Sequence, residues 1–306
     1  MTILVLGHKS PDSDSTGSPL IWAWYLTEVK GTPAKAVLLG EPNTEAAFLL
    51  KHWGIAQPGI IADVTAADQV VIVDTNNPAE LPPSINEAQV IGIIDHHMLV
   101  GGIKTRTPID ITIRPLACTA TILHDLIGAD LAKAPRAIKG AMLTCILSDT
   151  LEFRSPTTTP HDRAVAEALA ADLGISIPAL AAEMFAAKSD VSSFSDAALL
   201  RMDSKEYTVA GKELRVSVLE TTSPKTVLDR KASLMESMAA VAQEDGADQV
   251  LLFVVDILNE EATLLVPNAL VKQMAEASFG VKVTGDTVVL PGVMSRKKQI
   301  IPALKL

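Results

Sequence analysis

Three aliphatic runs in the first hundred positions each stop abruptly at an acid or an imidazole, and no other feature constrains the fold as tightly. Ile3-Leu4-Val5-Leu6-Gly7 delivers His8, and Val70-Val71-Ile72-Val73 delivers Asp74. Val90-Ile91-Gly92-Ile93-Ile94 delivers Asp95, His96 and His97. Unbroken Val, Ile and Leu runs of this length suit strands buried on both faces, as in a parallel sheet covered by helices. In such a sheet every strand ends along one edge, and ligands bind in the crevice outside that edge. A single aspartate after a strand is more often a helix cap or turn former. Three endings together predict a cluster in which distant residues meet.

The chain has 306 residues, which favours two domains. From residue 1 to 188 apolar strand-like runs alternate with helical ones, predicting an α/β sheet. Helices are expected from the hydroxyl caps Ser15 and Thr16, from Asn43-Thr44, over Ala117 to Ile127 and Pro135 to Leu147, and over 161–173 and 178–188. The small polar stretch around Ser189 to Ser195 breaks this pattern and is the expected linker. Beyond it, strand-like runs at Leu214–Leu219, Val250–Val255, Thr263–Val266 and Thr287–Leu290, with helical stretches at 224–243 and 268–277, predict a smaller α/β domain with its own mixed sheet over 196–306.

Composition removes several functions. Hydrophobic residues make up 48% of the chain, yet no run of eighteen apolar residues occurs, so no membrane partner is expected. No basic segment leads an apolar one at the start, so a cytoplasmic location is expected. The net charge of −10 argues against a nucleic-acid surface. Cys118 and Cys145, the only cysteines, sit among small apolar residues and read as buried, inert thiols.

The loop Gly7-His8-Lys9-Ser10-Pro11-Asp12-Ser13-Asp14 adds two aspartates to the cluster. Two positions apart in an extended loop, Asp12 and Asp14 point to opposite sides and could serve two different ions. Asp149, closing the apolar Leu147-Ser148 segment, is a further candidate. Imidazole and carboxylate donors without sulfur suit manganese, cobalt or iron, with magnesium at oxygen-rich positions. Two such ions bridged by a carboxylate would clamp the attacking and leaving oxygens of a phosphoryl transfer. No G-x-x-x-x-G-K-[ST] loop, G-x-G-x-x-G turn or G-x-S-x-G elbow offers another chemistry.

These residues, His8, Asp12 and Asp14 in G-H-x-x-P-D-x-D, Asp74 in V-D-x-N, and Asp95-His96-His97, resemble the DHH phosphoesterase superfamily. Ser295-Arg296-Lys297-Lys298-Gln299 narrows the resemblance to family II, the manganese-dependent inorganic pyrophosphatases. The resemblance implies His8, Asp12 and Asp74 as ligands of one manganese ion and Asp14, Asp74, His96 and Asp149 as ligands of the other, with cobalt as a substitute. It implies that His97, Lys205, Arg296 and Lys297 grip the substrate, that Asp95 orients a ligand or water, and that magnesium arrives with pyrophosphate. It further implies a homodimer through an N-terminal DHH domain (1–188), a hinge (189–195) and hydrolysis in the cleft between that domain and the C-terminal one. Thr75 departs from the pattern, since many relatives carry histidine there. A DHH exopolyphosphatase or an oligonucleotide or cyclic-dinucleotide phosphodiesterase is the alternative enzyme, and a phosphate- or metal-sensing module the alternative outside enzymes.

Overall fold

A computed structural model describes residues 2–306, apart from the side chain of Lys297. The chain divides into two compact units that meet in sequence between Ala187 and Lys188. No single helix among the described residues is long and apolar enough to cross a membrane.

The first unit is built on a six-stranded sheet: β1 (Ile3–Leu6), β2 (Ala34–Leu38), β3 (Gly59–Ile60), β4 (Gln69–Val73), β5 (Gln89–Asp95) and β6 (Asp110–Ile113). Their order is β3-β2-β1-β4-β5-β6, and every pairing is parallel. The order reverses between β1 and β4, the topological switch point at which open α/β sheets form their binding crevice. The aliphatic runs therefore do what their composition predicts: β1 is buried along its whole length, as are Val70 to Val73 of β4. Leu4, Leu6, Val70, Ile72, Val90 and Ile93 fill one core with Val37, Leu81 and Ile85.

Helices α1 (Ser13–Trp24), α2 (Thr44–His52), α3 (Thr119–Ile127), α4 (Arg136–Asp149), α5 (Pro160–Leu173) and α6 (Ile177–Lys188) complete this part of the chain. Two sequence-based expectations change here. Ser15 and Thr16 do not cap α1; Asp12 does, its carboxylate accepting from the Ser15 backbone N–H at 2.9 Å. Asp12 and Asp14 consequently sit at a helix N-cap and in its first turn, not in an extended loop. Gly17 of α1 lies so close to α4 that a Cβ there would be 2.3 Å from Cys145 Sγ.

The second unit carries a five-stranded sheet in the order β11-β10-β9-β8-β7. Its strands are β7 (Ser204–Val209), β8 (Lys212–Thr221), β9 (Gln249–Asp256), β10 (Glu261–Leu265) and β11 (Thr287–Pro291). Only β8 and β9 pair in parallel, so the sheet is mixed. Central β9 is buried at all eight positions, and its side chains alternate between two cores. Leu251, Phe253 and Val255 pack towards α10 (Ala269–Phe279), whereas Val250, Leu252 and Val254 pack towards α7 (Asp196–Arg201) and α9 (Lys231–Glu244). The helical stretch expected over 224–243 is two helices, α8 (Pro224–Leu228) and α9, broken at Asp229 and Arg230. Residues 189–195 form no helix or strand, but Ser189 is buried and bonded to Thr222 and Thr226, and Val191 joins the α9-side core.

Candidate metal centre

The ends of β1, β4 and β5 meet the N-terminus of α1 and the C-terminus of α4. Gly7 turns the chain from β1, and it must lack a side chain because a Cβ would lie 2.0 Å from Ser15 Oγ. That hydroxyl instead accepts from the His8 N–H at 2.7 Å and sets the imidazole facing the sheet edge. His8 Nε2 lies 3.6 Å from both Asp12 Oδ2 and Asp74 Oδ2. The other Asp74 oxygen, Oδ1, lies 3.3 Å from His96 Nε2. Asp74 thus turns one oxygen towards each of two imidazoles, the posture of a bridging carboxylate. It adopts a left-handed backbone (φ 60°), held by its N–H donating to the Ile94 carbonyl at 3.0 Å.

The donors fall into groups whose ligand atoms lie within 4.8 Å of one another: His8, Asp12 and Asp74; Asp14, His96 and Asp149; and Asp74, His96 and His97. Asp12 and Asp14 therefore face different groups, although helical geometry, not an extended loop, separates them. Asp14 is buried and receives the Ser18 hydroxyl at 2.5 Å and the Thr119 N–H at 2.7 Å. Asp149 closes α4, and three left-handed residues follow it, Leu151, Glu152 and Phe153 (φ 48°, 52° and 69°).

The electrostatics fit a cationic occupant. Burial, then the neighbouring Asp14 and Asp12 carboxylates, push the Asp74 and Asp149 carboxyls well above the usual range. The ion-pair partners of Asp74 among the described residues are histidines alone, and Asp149 Oδ2 is buried without a hydrogen-bond partner. Burial lowers the His96 pKa and keeps its imidazole neutral, as a metal ligand must be. Its Nδ1 is 3.2 Å from the Leu116 carbonyl, which can only accept, so the proton sits on Nδ1 and Nε2 is free to coordinate. Oxygen and imidazole donors with two buried, excluded thiols (Cys118 and Cys145, both pushed up in pKa by burial and these carboxylates) suit a divalent ion such as manganese, cobalt or iron.

Asp95 is fully buried at the centre of a different network. Its Oδ1 accepts from the backbone N–H of His96 and His97 and lies 2.9 Å from His97 Nδ1, while Oδ2 accepts from Asn76 Nδ2 at 2.5 Å. Burial works against its charge, but the bonds from His97 and Asn76 outweigh it and hold the carboxyl below its usual range. The same contact raises the His97 pKa. With Nδ1 committed to Asp95, His97 offers Nε2 to a cavity of about 380 Å³ lined by His8, Lys9, Ser10, Ala79, Glu80 and His97. Thr75, where the sequence departs from the family pattern, is buried and donates to Glu80 Oε2 at 2.6 Å.

The cationic candidates belong to the second unit. Lys205 is exposed on β7, and Arg296 donates to the Asp203 carbonyl at 2.6 Å and to its carboxylate at 2.8 Å, two residues before Lys205. The Lys297 side chain lies outside the described residues. Thr119, Asn76 and Glu80 were not legible as site residues, since only their tertiary partners mark them; a threonine opening a helix, as Thr119 opens α3, is the one faint signal.

The DHH family model for the N-terminal domain matches residues 2–150, the parallel α/β unit whose switch point gathers these carboxylate and imidazole groups. The DHHA2 domain model matches residues 182–306. A Deinococcus radiodurans protein named "probable manganese-dependent inorganic pyrophosphatase" is 40% identical over 309 residues, covering 99% of this chain and 98% of the relative. A Lactobacillus helveticus protein of the same name is 32% identical, covering 98% and 96%. The crystal structure of a Methanococcus jannaschii protein described as a "putative family II inorganic pyrophosphatase" aligns over 99% of this chain and 98% of its own, with a TM-score of 0.60 and 32% identity. An exopolyphosphatase-related protein from Bacteroides fragilis, at 14% identity and a TM-score of 0.52, shares the fold. The chain belongs to the manganese-dependent, family II inorganic pyrophosphatases of the DHH superfamily.

Proposed function

We propose that the protein hydrolyses inorganic pyrophosphate to two orthophosphates. The observation that carries this reading is Asp74, whose two oxygens face His8 and His96 and so join two donor groups into one dinuclear site. His8, Asp12 and Asp74 would hold one manganese ion, and Asp14, Asp74, His96 and Asp149 the other, with cobalt as a substitute and magnesium entering with the substrate. When bound, the two ions supply Lewis acidity and lower the pKa of water, the usual service of a two-metal site to phosphoryl transfer.

The chain's own residues do the rest. Asp95 holds His97 by Nδ1 and raises its pKa, which favours the protonated ring that would meet negative charge developing on the leaving phosphate. Arg296 offers a guanidinium charge whose fork is held in place on Asp203, and Lys205 and Lys297 offer point charges. We assign metal binding to residues 1–188, linkage to 189–195 and substrate binding to 196–306. We also propose a homodimer through the first unit, supported by the exposed β6 edge residue Ile111 and the exposed Met98, Leu99 and Val100. Two free, buried cysteines are in keeping with a cytoplasmic location.

The test is phosphate release by metal-stripped protein re-supplied separately with manganese, cobalt, zinc and magnesium, on pyrophosphate, polyphosphate and a dinucleotide. Manganese should restore release from pyrophosphate above the other two substrates. Equal or preferred turnover of polyphosphate or the dinucleotide would overturn the assignment.

A further inference from the structure

Three of the proposed metal ligands are oriented by one short segment at the start of α3. The Leu116 carbonyl accepts from His96 Nδ1 at 3.2 Å, the Thr119 N–H donates to Asp14 Oδ2 at 2.7 Å, and the Thr119 hydroxyl donates to Asp74 Oδ1 at 3.3 Å. Whatever fixes residues 116–121 therefore fixes both donor groups at once.

The segment is fixed by a carboxylate from elsewhere in the chain. Asp162, in the first turn of α5, is fully buried. Its oxygens accept from the Ala117 N–H at 3.1 and 3.3 Å and from the Thr121 hydroxyl at 2.7 Å. They also accept from the Thr159 N–H at 2.9 Å and hydroxyl at 2.6 Å, which makes Asp162 half of the capping box of α5. A capping box needs only the Thr159 side of these bonds. The Ala117 and Thr121 bonds do nothing for α5; they tie its start to the turn that holds His96, Asp14 and Asp74. Every donor to Asp162 is neutral, so both oxygens must accept, and an amide in its place would turn an NH2 towards N–H and O–H donors.

We infer that Asp162 is a positioning residue of the metal centre, acting through Leu116 and Thr119 without touching a ligand itself. The inference rests on the dinuclear reading above. Partners that orient metal ligands typically change affinity by about 10–100-fold when removed, and Asp162 stands one step further out, so Asp162→Asn should weaken manganese binding by about tenfold.

The experiment is equilibrium titration of metal-stripped protein with manganese, followed by electron paramagnetic resonance of the free ion, for wild type, Asp162→Asn, Thr121→Val and Thr159→Ala. Circular dichroism and thermal melting are recorded on each. Wild type binding no manganese would overturn the dinuclear reading, independently of Asp162. If wild type binds, Asp162→Asn and the milder Thr121→Val should lose affinity, while Thr159→Ala should lower Tm with its affinity unchanged. Thr121→Val keeps the test valid should Asp162→Asn fail to fold. Unchanged affinity in Thr121→Val and Asp162→Asn, or an equal loss in Thr159→Ala, would reduce Asp162 to a helix cap and overturn the inference.

Discussion

Gly17→Ala should loosen manganese binding while barely moving stability. In α1, Gly17 sits one turn beyond Asp14; in α4, Cys145 sits one turn before Asp149. A Cβ on residue 17 would lie 2.3 Å from Cys145 Sγ, whereas non-bonded atoms settle at about 3.5–4 Å, so the helices must part by about 1 Å. Overpacking of this kind costs about 1–3 kcal/mol, and replacing a helix-interior glycine by alanine returns about 1 kcal/mol. The net cost is about 0–2 kcal/mol, and Tm should fall by only a few degrees. Metal–ligand distances, in contrast, tolerate only about 0.2 Å. Parting α1 from α4 separates Asp14 from Asp149, and affinity should fall by about 10–100-fold, the range seen when ligand orientation is lost. Cys145→Ala removes the obstructing sulfur and leaves Leu49 Cδ1 at an ordinary 3.5 Å as the nearest atom, so the double variant should recover wild-type affinity. Isothermal titration of the metal-stripped proteins reads all three variants. Wild-type affinity in Gly17→Ala, or no recovery in the double variant, would refute the reasoning that α1 and α4 set the ligand spacing.

Chelation should lower Tm, because each site held at a hundred times its Kd contributes about 2.7 kcal/mol, and differential scanning calorimetry with and without manganese measures it. Arg296→Lys keeps the charge but loses the fork on Asp203; it should raise KM for pyrophosphate by about tenfold with manganese affinity unchanged, by steady-state kinetics and titration. Burial opposes the charge on Asp125, but contacts from His161 and His124 outweigh it and hold the carboxyl below its usual range. The stability it supplies is complete above about pH 4 and lost as pH falls through its lowered value; urea midpoints of Asp125→Asn and wild type should therefore differ at pH 7 and converge at low pH.

The strand endings were legible because a parallel strand buried on both faces is written as continuous aliphatic sequence, and its end is where that sequence stops. The placement of Asp12 was not, because aspartate, serine and threonine all cap helices and only the folded turn decides between them; Ser15 and Thr16 are inside α1, with Ser15 turned back to His8. Strands β2, β3, β6 and β7 were missed, β6 and β7 for another reason. These two lie at sheet edges, Asp110–Ile113 and Ser204–Val209, where half-exposed polar residues blur the pattern. Asn76, Thr119 and Asp162 act across 19, 105 and 41 residues of chain, distances at which a local pattern carries no information.

Of the six non-glycine residues in the left-handed region among the described residues, four are Asp74 itself and Leu151, Glu152 and Phe153 just beyond Asp149. Backbone held there costs of order 1–3 kcal/mol per residue, and in Asp74 it adds to the burden of a buried charge. Glycine would accept the conformation at no steric cost and carry no carboxylate. Evolution of this protein in a chelator, under selection for heat resistance alone, would thus be expected to discard position 74 early. On the proposed metal-binding role, its aspartate is held by the ion it would bind, against the interest of the fold that presents it.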